Sequence, residues 1–430
     1  MSHETPLITT IVVGLVLAFV FGAIANRLRL PMIAGYLMAG VVIGPFTPGY
    51  VANQELATEL AEIGVILLMF GVGLHFSLRD LMSVRRIAIP GAMAQIAAAT
   101  ICGVALAWVL GWGLGAGLIF GLSLSVASTV VLLRALQERN IVQEDRGRIA
   151  VGWLIVEDLV MVVVLVVIPP LSSLLGGRAV PVAEGAAEVV SLGFGPVAAT
   201  LMITAVKVAG FIALMLVVGR KVIPMILHYT AHTGQRELFR LGVLAIALGV
   251  AWGSATFFGV SFALGAFFAG MVMAGSSLSA RAMKDTLPLR DAFAVLFFVS
   301  VGMLFNPGVI ITAPLSLLAT VFIIIAVKAS VAFGLVLAFG HDRKVAMTIA
   351  ASLAQIGEFS FILITMGVNL SIVPTEARDL VVAGALLSIL VNPVLFRLLD
   401  RHFARHIPAA AATPSAPDPT IRATADQGPA

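Results

Sequence analysis

Two acids stand side by side in an otherwise apolar run, Glu157 and Asp158 in GWLIVEDLVMVV. A carboxylate in such a setting holds a proton or a cation, not both. Burial favours the protonated acid, and a neighbouring ammonium favours the carboxylate. An acid balanced between the two near cytoplasmic pH lets proton and cation compete for one oxygen site. Adjacent side chains on a helix point about 100° apart, so one acid can line a cavity while the other faces a partner helix. Asp158 has the shorter arm and is assigned the monovalent cation, with Glu157 beside it. Hydroxyls and unwound carbonyls are hard oxygen donors suited to alkali cations. Ser128 and Thr129, in the cluster Ser123-Leu124-Ser125-Val126-Ala127-Ser128-Thr129, therefore join the candidate cation and proton site.

Four more charges fall inside apolar segments, where charge is costly and marks ion pathways. Lys328 lies in IIIAVKASVAF. It either pairs with Asp158 and releases it when a cation binds, or neutralises it permanently as a brace. Glu358 ends the second polar interruption, Ser352-Leu353-Ala354-Gln355-Ile356-Gly357-Glu358, and is expected as a supporting charge. Lys207 sits mid-segment and is expected to partner an acid such as Glu157, whereas Glu62 reads as an interfacial residue.

The elements that must position these groups are apolar helices. Hydrophobic residues make up 60% of the 430 and charged ones 11%, far from soluble proportions. No alternating-strand pattern appears, so the chain reads as an all-α polytopic membrane protein. Thirteen apolar segments can be marked, and each is expected to be a span. Basic residues collect after the odd-numbered segments, as in Arg79/Arg85/Arg86 and Arg134/Arg139/Arg146/Arg148; the loops after even-numbered segments hold only Arg178 and Arg378. The positive-inside rule then places the N-terminus outside and the C-terminus in the cytoplasm. The net charge of +4 is accounted for by those loops and calls for no nucleic-acid partner. The lone Cys102 can form no intrachain disulfide and reads as a packing residue. Residues 407–430, rich in Pro and Ala, are expected to be a disordered cytoplasmic tail after a membrane domain over 1–406. No nucleophile elbow, H-E-x-x-H or P-loop is present, so nothing points to an enzyme or to a cofactor.

The chain also repeats itself. Gly40 in AGVV and Gly270 in AGMV lie 230 apart, and Gly73 in VGLHFS and Gly302 in VGMLFN lie 229 apart. That offset carries Ser128 and Thr129 onto Gly357 and Glu358, pairing the two polar interruptions. It predicts one six-helix repeat over about 7–171, a linker helix over about 196–219 and a second repeat over about 239–397. An odd linker span inverts the second repeat, which puts the substrate site near the midplane at broken helices. Asp158 maps onto Leu387, so the duplication predicts one acidic site, not two.

The segments LAEIGVILLMFGVGLHFSLRDL, SLSVASTVVLLRAL, GWLIVEDLVMVVVLV, LFFVSVGM and LAQIGEFSFIL resemble the Kef-type branch of the bacterial monovalent cation:proton antiporters, its YbaL-like members included. The resemblance runs over nearly all of 1–405. It implies a sodium/proton-antiporter-like fold, a homodimer in the inner membrane, and a mobile core in which two broken helices cross. It implies that Asp158 binds the cation, that Ser128/Thr129 and Gly357/Glu358 mark the broken helices, and that Lys328 is the core's basic residue. Kef-type relatives suggest exchange of K+ for H+, with Na+/H+ exchange as the alternative; a channel-like conduit or a non-transporting sensor is the alternative of another class. Kef-type chains usually continue into a nucleotide-binding domain, but here no G-x-G-x-x-G follows a strand pattern, so no such domain is expected in this chain.

Overall fold

A computed structural model describes residues 6–28, 30–75, 78–178 and 196–405. The tail expected to be disordered, 407–430, lies outside them. Every element among the described residues is helical. In chain order these are α1 (Pro6–Arg27), α2 (Met32–Ile43), α3 (Gln54–His75), α4 (Leu78–Val109), α5 (Leu114–Ser125), α6 (Thr129–Gln137) and α7 (Asp145–Leu171). After the undescribed 179–195 come α8 (Pro196–Leu214), α9 (Arg220–His232), α10 (Arg236–Phe258), α11 (Phe262–Ala274) and α12 (Ser279–Met303). The last group is α13 (Val309–Thr312), α14 (Pro314–Phe322), α15 (Lys328–Ala338), α16 (Arg343–Leu353), α17 (Glu358–Asn369) and α18 (Thr375–Arg405). Single π-helical turns join α8 to α9 at Met215–Gly219 and α14 to α15 at Ile323–Val327.

All thirteen apolar segments fall on helices, which differ in length. Ten helices among the described residues are long and apolar enough to cross a membrane, or eleven if the bent pair α16–α17 counts as one. The two left over, α2 and α11, have 12 and 13 residues. At 1.5 Å per residue they reach roughly 18–20 Å, short of a hydrocarbon core about 30 Å thick. Both lack a polar face because both are enclosed by other helices. Eight of the residues of α2 and nine of those of α11 are buried.

Those two short helices hold the scaffold together through glycines. A methyl at Gly40 of α2 would collide with the carbonyl oxygen of Val299 in α12, and Gly302 of α12 faces the carbonyl of Leu37 in return. A methyl at Gly270 of α11 would collide with the carbonyl oxygen of Phe70 in α3, and Gly73 of α3 faces the carbonyl of Phe267. Small residues let helix backbones touch where lipid offers no hydrophobic drive to associate.

The second body is built around α5, α6, α16 and α17. Helix α5 stops at Ser125 and α6 starts at Thr129; α16 stops at Leu353 and α17 starts at Glu358, with a bend of 41°. Around this crossing α4 packs on α5 and α7, and α15 packs on α16. Contacts between loops sort by parity. Arg139 pairs with Asp400 at 3.0 Å and Arg240 with Asp285 at 3.1 Å, each joining ends after odd-numbered segments. At the opposite ends, Arg178 N–H donates to Leu370 O at 2.7 Å and Asn306 N–H to Asp379 at 3.3 Å. The two ion pairs thus join basic ends after segments 5 and 13 and after segments 7 and 9.

Candidate ion-binding site

A broken helix frees peptide groups in the interior, and each must find a partner. Ser128 N–H donates to Gln355 Oε1 at 2.9 Å, and Gln355 Nε2 donates back to Ser128 O at 3.2 Å and to Ser352 O at 3.3 Å. One side-chain amide thereby acts as a missing peptide unit between the two breaks. Ser128 also caps α6, its Oγ accepting from Val131 N–H at 3.4 Å. The breaks touch closely enough that a methyl at Gly357 would collide with Cα of Ser128.

Two charges satisfy what remains. Ala127 N–H, ahead of α6, donates to Glu157 Oε2 at 2.9 Å. Lys328 Nζ, on the first residue after the π-helical turn, donates to Gln355 O at 2.8 Å. An anion at freed N–H groups and a cation at freed carbonyls match the helix-end dipoles. Both residues have no exposure. Glu157 is also bound through Oε1 by Gln95 Nε2 of α4. The indole Nε1 of Trp153 lies near the same carboxylate without a hydrogen bond of proper geometry.

Asp158, one residue on, is held differently. Its Oδ2 accepts from Thr129 Oγ1 at 3.3 Å; its Oδ1 has no partner, although the residue is only 4% exposed. Glu358, at the start of α17, accepts from Ser128 Oγ through Oε2 at 3.2 Å. Three carboxylates and one ammonium are thus gathered at the crossing, with Asp158 coupled electrostatically to Glu358 and Glu157, and Glu157 to Lys328. Among the described residues no cluster of three or more Asp, Glu, His or Cys is arranged to hold a metal ion. Hydroxyl oxygens beside a carboxylate are hard donors suited to alkali cations.

Of the seven residues expected at the site, six meet here: Glu157, Asp158, Ser128, Thr129, Lys328 and Glu358. Two expectations are corrected. Lys207 does not partner Glu157, whose oxygens are taken by Gln95 and Ala127, and among the described residues it forms no ion pair within 4.0 Å. It stands on α8, where Met202 and Val206, one turn apart, are exposed, so mid-segment depth does not imply contact with the core. Nor does Lys328 bond Asp158; its hydrogen bond is to the backbone of the α16–α17 break. Sequence reasoning missed Gln95 and Gln355. Uncharged amides in apolar helices carry the signal, and Gln355 already stands inside a marked interruption.

The transmembrane sodium/hydrogen exchanger family matches residues 15–399. YbaL of Escherichia coli (strain K12), a protein named for cation/proton antiport, is 60% identical over 405 residues, covering 94% of this chain and 70% of YbaL. The K(+) efflux antiporters 6 and 4 of Arabidopsis thaliana are 31% and 33% identical over 91% of this chain, which spans 63% and 64% of their length. Among solved structures, the sodium proton antiporter MjNhaP1 of Methanocaldococcus jannaschii superposes with a TM-score of 0.66 at 18% identity, covering 91% of this chain and 98% of that one. That last likeness is one of fold. With the family match running through both broken helices and the acid between them, the chain belongs to the transmembrane sodium/hydrogen exchanger family.

Proposed function

We propose that this chain exchanges a monovalent cation for protons across the bacterial inner membrane by alternating access, with Asp158 as the group that holds each in turn. One observation carries the reading: a buried aspartate at the crossing of two broken helices, bonded through one oxygen to Thr129 and unpartnered at the other. Such an acid has room for one cation or one proton. K+ is favoured over Na+ because the Arabidopsis relatives are named for K+ efflux.

The two halves act as inverted repeats. Helices α2 and α11 begin 230 residues apart, at Met32 and Phe262, and their glycine crossings are exchanged between halves, α2 on α12 and α3 on α11. A two-fold axis in the membrane plane relates such contacts. The breaks at Ser128 and Gly357, equivalent by the same offset, touch each other. The core α5–α6–α16–α17 rocks against the glycine scaffold, and the face with the basic loops is cytoplasmic. The working unit is a homodimer, as the family likeness implies.

The test is a panel of K+, Na+ and Li+ in proteoliposomes with an internal pH dye, each ion with and without a membrane potential. Proton-coupled uptake of at least one ion is expected, and Asp158→Asn should abolish it while the protein still inserts. Ion flux without proton counterflow would make the protein a conduit. Full exchange by the Asn variant would remove Asp158 from the role.

A further inference from the structure

Far from the ion site, scaffold and core meet through a polar contact between the end of α12 and the start of α18. Helix α12 belongs to the scaffold, packed on α2 and α3; α18 belongs to the core, packed on α16 and α17. Just past α12, Asn306 N–H donates to Asp379 Oδ1 at 3.3 Å, so this hydrogen bond passes from one body to the other. The ion pairs Arg139–Asp400 and Arg240–Asp285 differ from it, because each stays within one body. The Asn306 N–H is held in place, since Asn306 Oδ1 accepts from Gly308 N–H at 2.9 Å and fixes the turn. Asp379 is 7% exposed, and Phe305, Val309, Ile372 and Val373, which flank the two residues in sequence, are buried as well.

Arg378, the preceding residue of α18, supplies what release of that bond requires. Its Nε lies 3.8 Å from the same Asp379 oxygen, is buried and has no hydrogen-bond partner. A buried carboxylate stripped of its N–H donor is costly, and a guanidinium at hand can take the donor's place. Asp379 can therefore change partners, from a scaffold N–H to its own neighbour on the core, as the two bodies part. The repeat offset adds a second point. Helices α7 and α18 begin at Asp145 and Thr375, 230 residues apart. Asn306 maps onto Ser77 at an offset of 229, and Arg378 and Asp379 map onto Arg148 and Ile149 at 230. The counterpart of Asp379 is not an acid, so the duplication does not supply the same bond at the opposite ends.

We infer that Asp379 is a latch between scaffold and core, bonded to Asn306 N–H while the outer side is closed and received by Arg378 when that side opens. The inference rests on the exchange reading, which requires the core to move. It deepens that reading by making the two end states unequal: the outer-closed state keeps a bond that the other state has no counterpart for. Breaking the latch shifts the population toward the outer-open state, and removing its receiver shifts it back.

The experiment has two arms. In the first, deuterium uptake at the backbone of 304–309 is followed in the detergent-solubilised full chain. Asp379→Ala should raise the uptake rate by about tenfold, the order of one hydrogen bond to a charged group. Asp379→Asn keeps an acceptor and should lie between that variant and the parent. Arg378→Gln should act in the opposite sense and slow uptake by about threefold, because opening then leaves the carboxylate without a donor. A fold defect would speed uptake in every variant. In the second arm, Asn306→Cys/Asp379→Cys is made in a Cys102→Ala background and reconstituted in proteoliposomes. A short, reducible bifunctional thiol reagent should link the pair, and the linked protein should not exchange K+ or Na+ for protons until the link is reduced. Exchange at an undiminished rate with the link in place, failure of the pair to link, or faster uptake in Arg378→Gln would overturn the latch. Absence of proton-coupled ion movement in the parent and in the reduced pair alike would instead overturn the exchange reading itself.

Discussion

Helices cross at touching distance in two regions of this protein, and the two crossings are built from opposite chemistry. In the scaffold, α2 on α12 and α3 on α11 meet through glycine, with carbonyl oxygens where side chains would be. In the core, the α5–α6 and α16–α17 breaks meet through Ser128, Gln355 and Gly357, with the freed peptide groups bound by a side-chain amide, a carboxylate and an ammonium. The first crossing is set by the close approach of backbones at glycine. The second carries charge and has oxygen atoms to spare. A transporter needs both: a body that does not yield, and a body whose charge state can change and which can then move against it.

The largest effect should come from the rigid side. Gly270→Leu places a side chain on the carbonyl of Phe70, backbone that cannot rotate away. Overpacking costs roughly 1–3 kcal/mol in soluble cores, and a backbone clash exceeds that. The expected outcome is loss of folded, monodisperse protein on size-exclusion chromatography. Gly357→Val sharpens the comparison, because its clash is with Ser128 in the core. It should leave the scaffold assembled and the protein soluble in detergent, yet abolish exchange. Equal loss of folding in both variants would show that the two bodies are not separable.

A smaller effect is expected from the polar staple. Gln355→Leu strands the N–H and C=O of Ser128, at about 1–3 kcal/mol for each buried unpaired group. Thermal stability should fall and exchange should drop by more than about tenfold, the factor that 1.4 kcal/mol represents in an equilibrium. Replacing Asn392, whose Nδ2 donates to Ala351 O at 2.8 Å beside the same break, should cost one neutral hydrogen bond, about 1 kcal/mol. Lys328→Gln should be costlier than Asn392→Ala. It leaves Glu157 without a countercharge in a fully buried site, typically about 3–5 kcal/mol. Adding Glu157→Gln should restore most of that loss, and a double-mutant cycle on melting temperatures reads the coupling directly.

How much of this is legible in sequence follows from what kind of signal each part leaves. The helices are open to reading, because length and apolarity are linear properties. The two interruptions are open as well, since hydroxyls, Gln, Gly and Glu gathered inside an apolar run break its helix and leave polar groups that need partners. The offset from Ser128 to Gly357 predicts that the two correspond. The shortness of α2 and α11 is not legible, because apolar runs of 16 residues at 31–46 and 260–275 blur into their loops, and Gly44 and Gly275 end the helices sooner. Nor is the division of labour among the acids. Glu157, Asp158 and Glu358 look alike in sequence, and only the direction of each side chain decides which oxygens are bound by N–H groups and which are left free.

Lys207 is where linear depth misleads, and it sets the smallest prediction. Eleven residues from either end of its segment, it is expected to seek an acid in the core; instead α8 turns Val206, at 66% exposure, to the outside, and no described acid lies within 4.0 Å of the ammonium. Lys207 is half-buried on an outer helix, where a long side chain lays its aliphatic stem along apolar surface. Substitutions on such faces usually stay within about 0.5 kcal/mol. Lys207→Gln should therefore leave melting temperature nearly unchanged and exchange within about twofold, with the same dependence on pH. A change in the pH profile would mean that the charge reaches the crossing in another state of the cycle. The outer helix would then belong with the mobile body, and the line between the two regions would have to be redrawn.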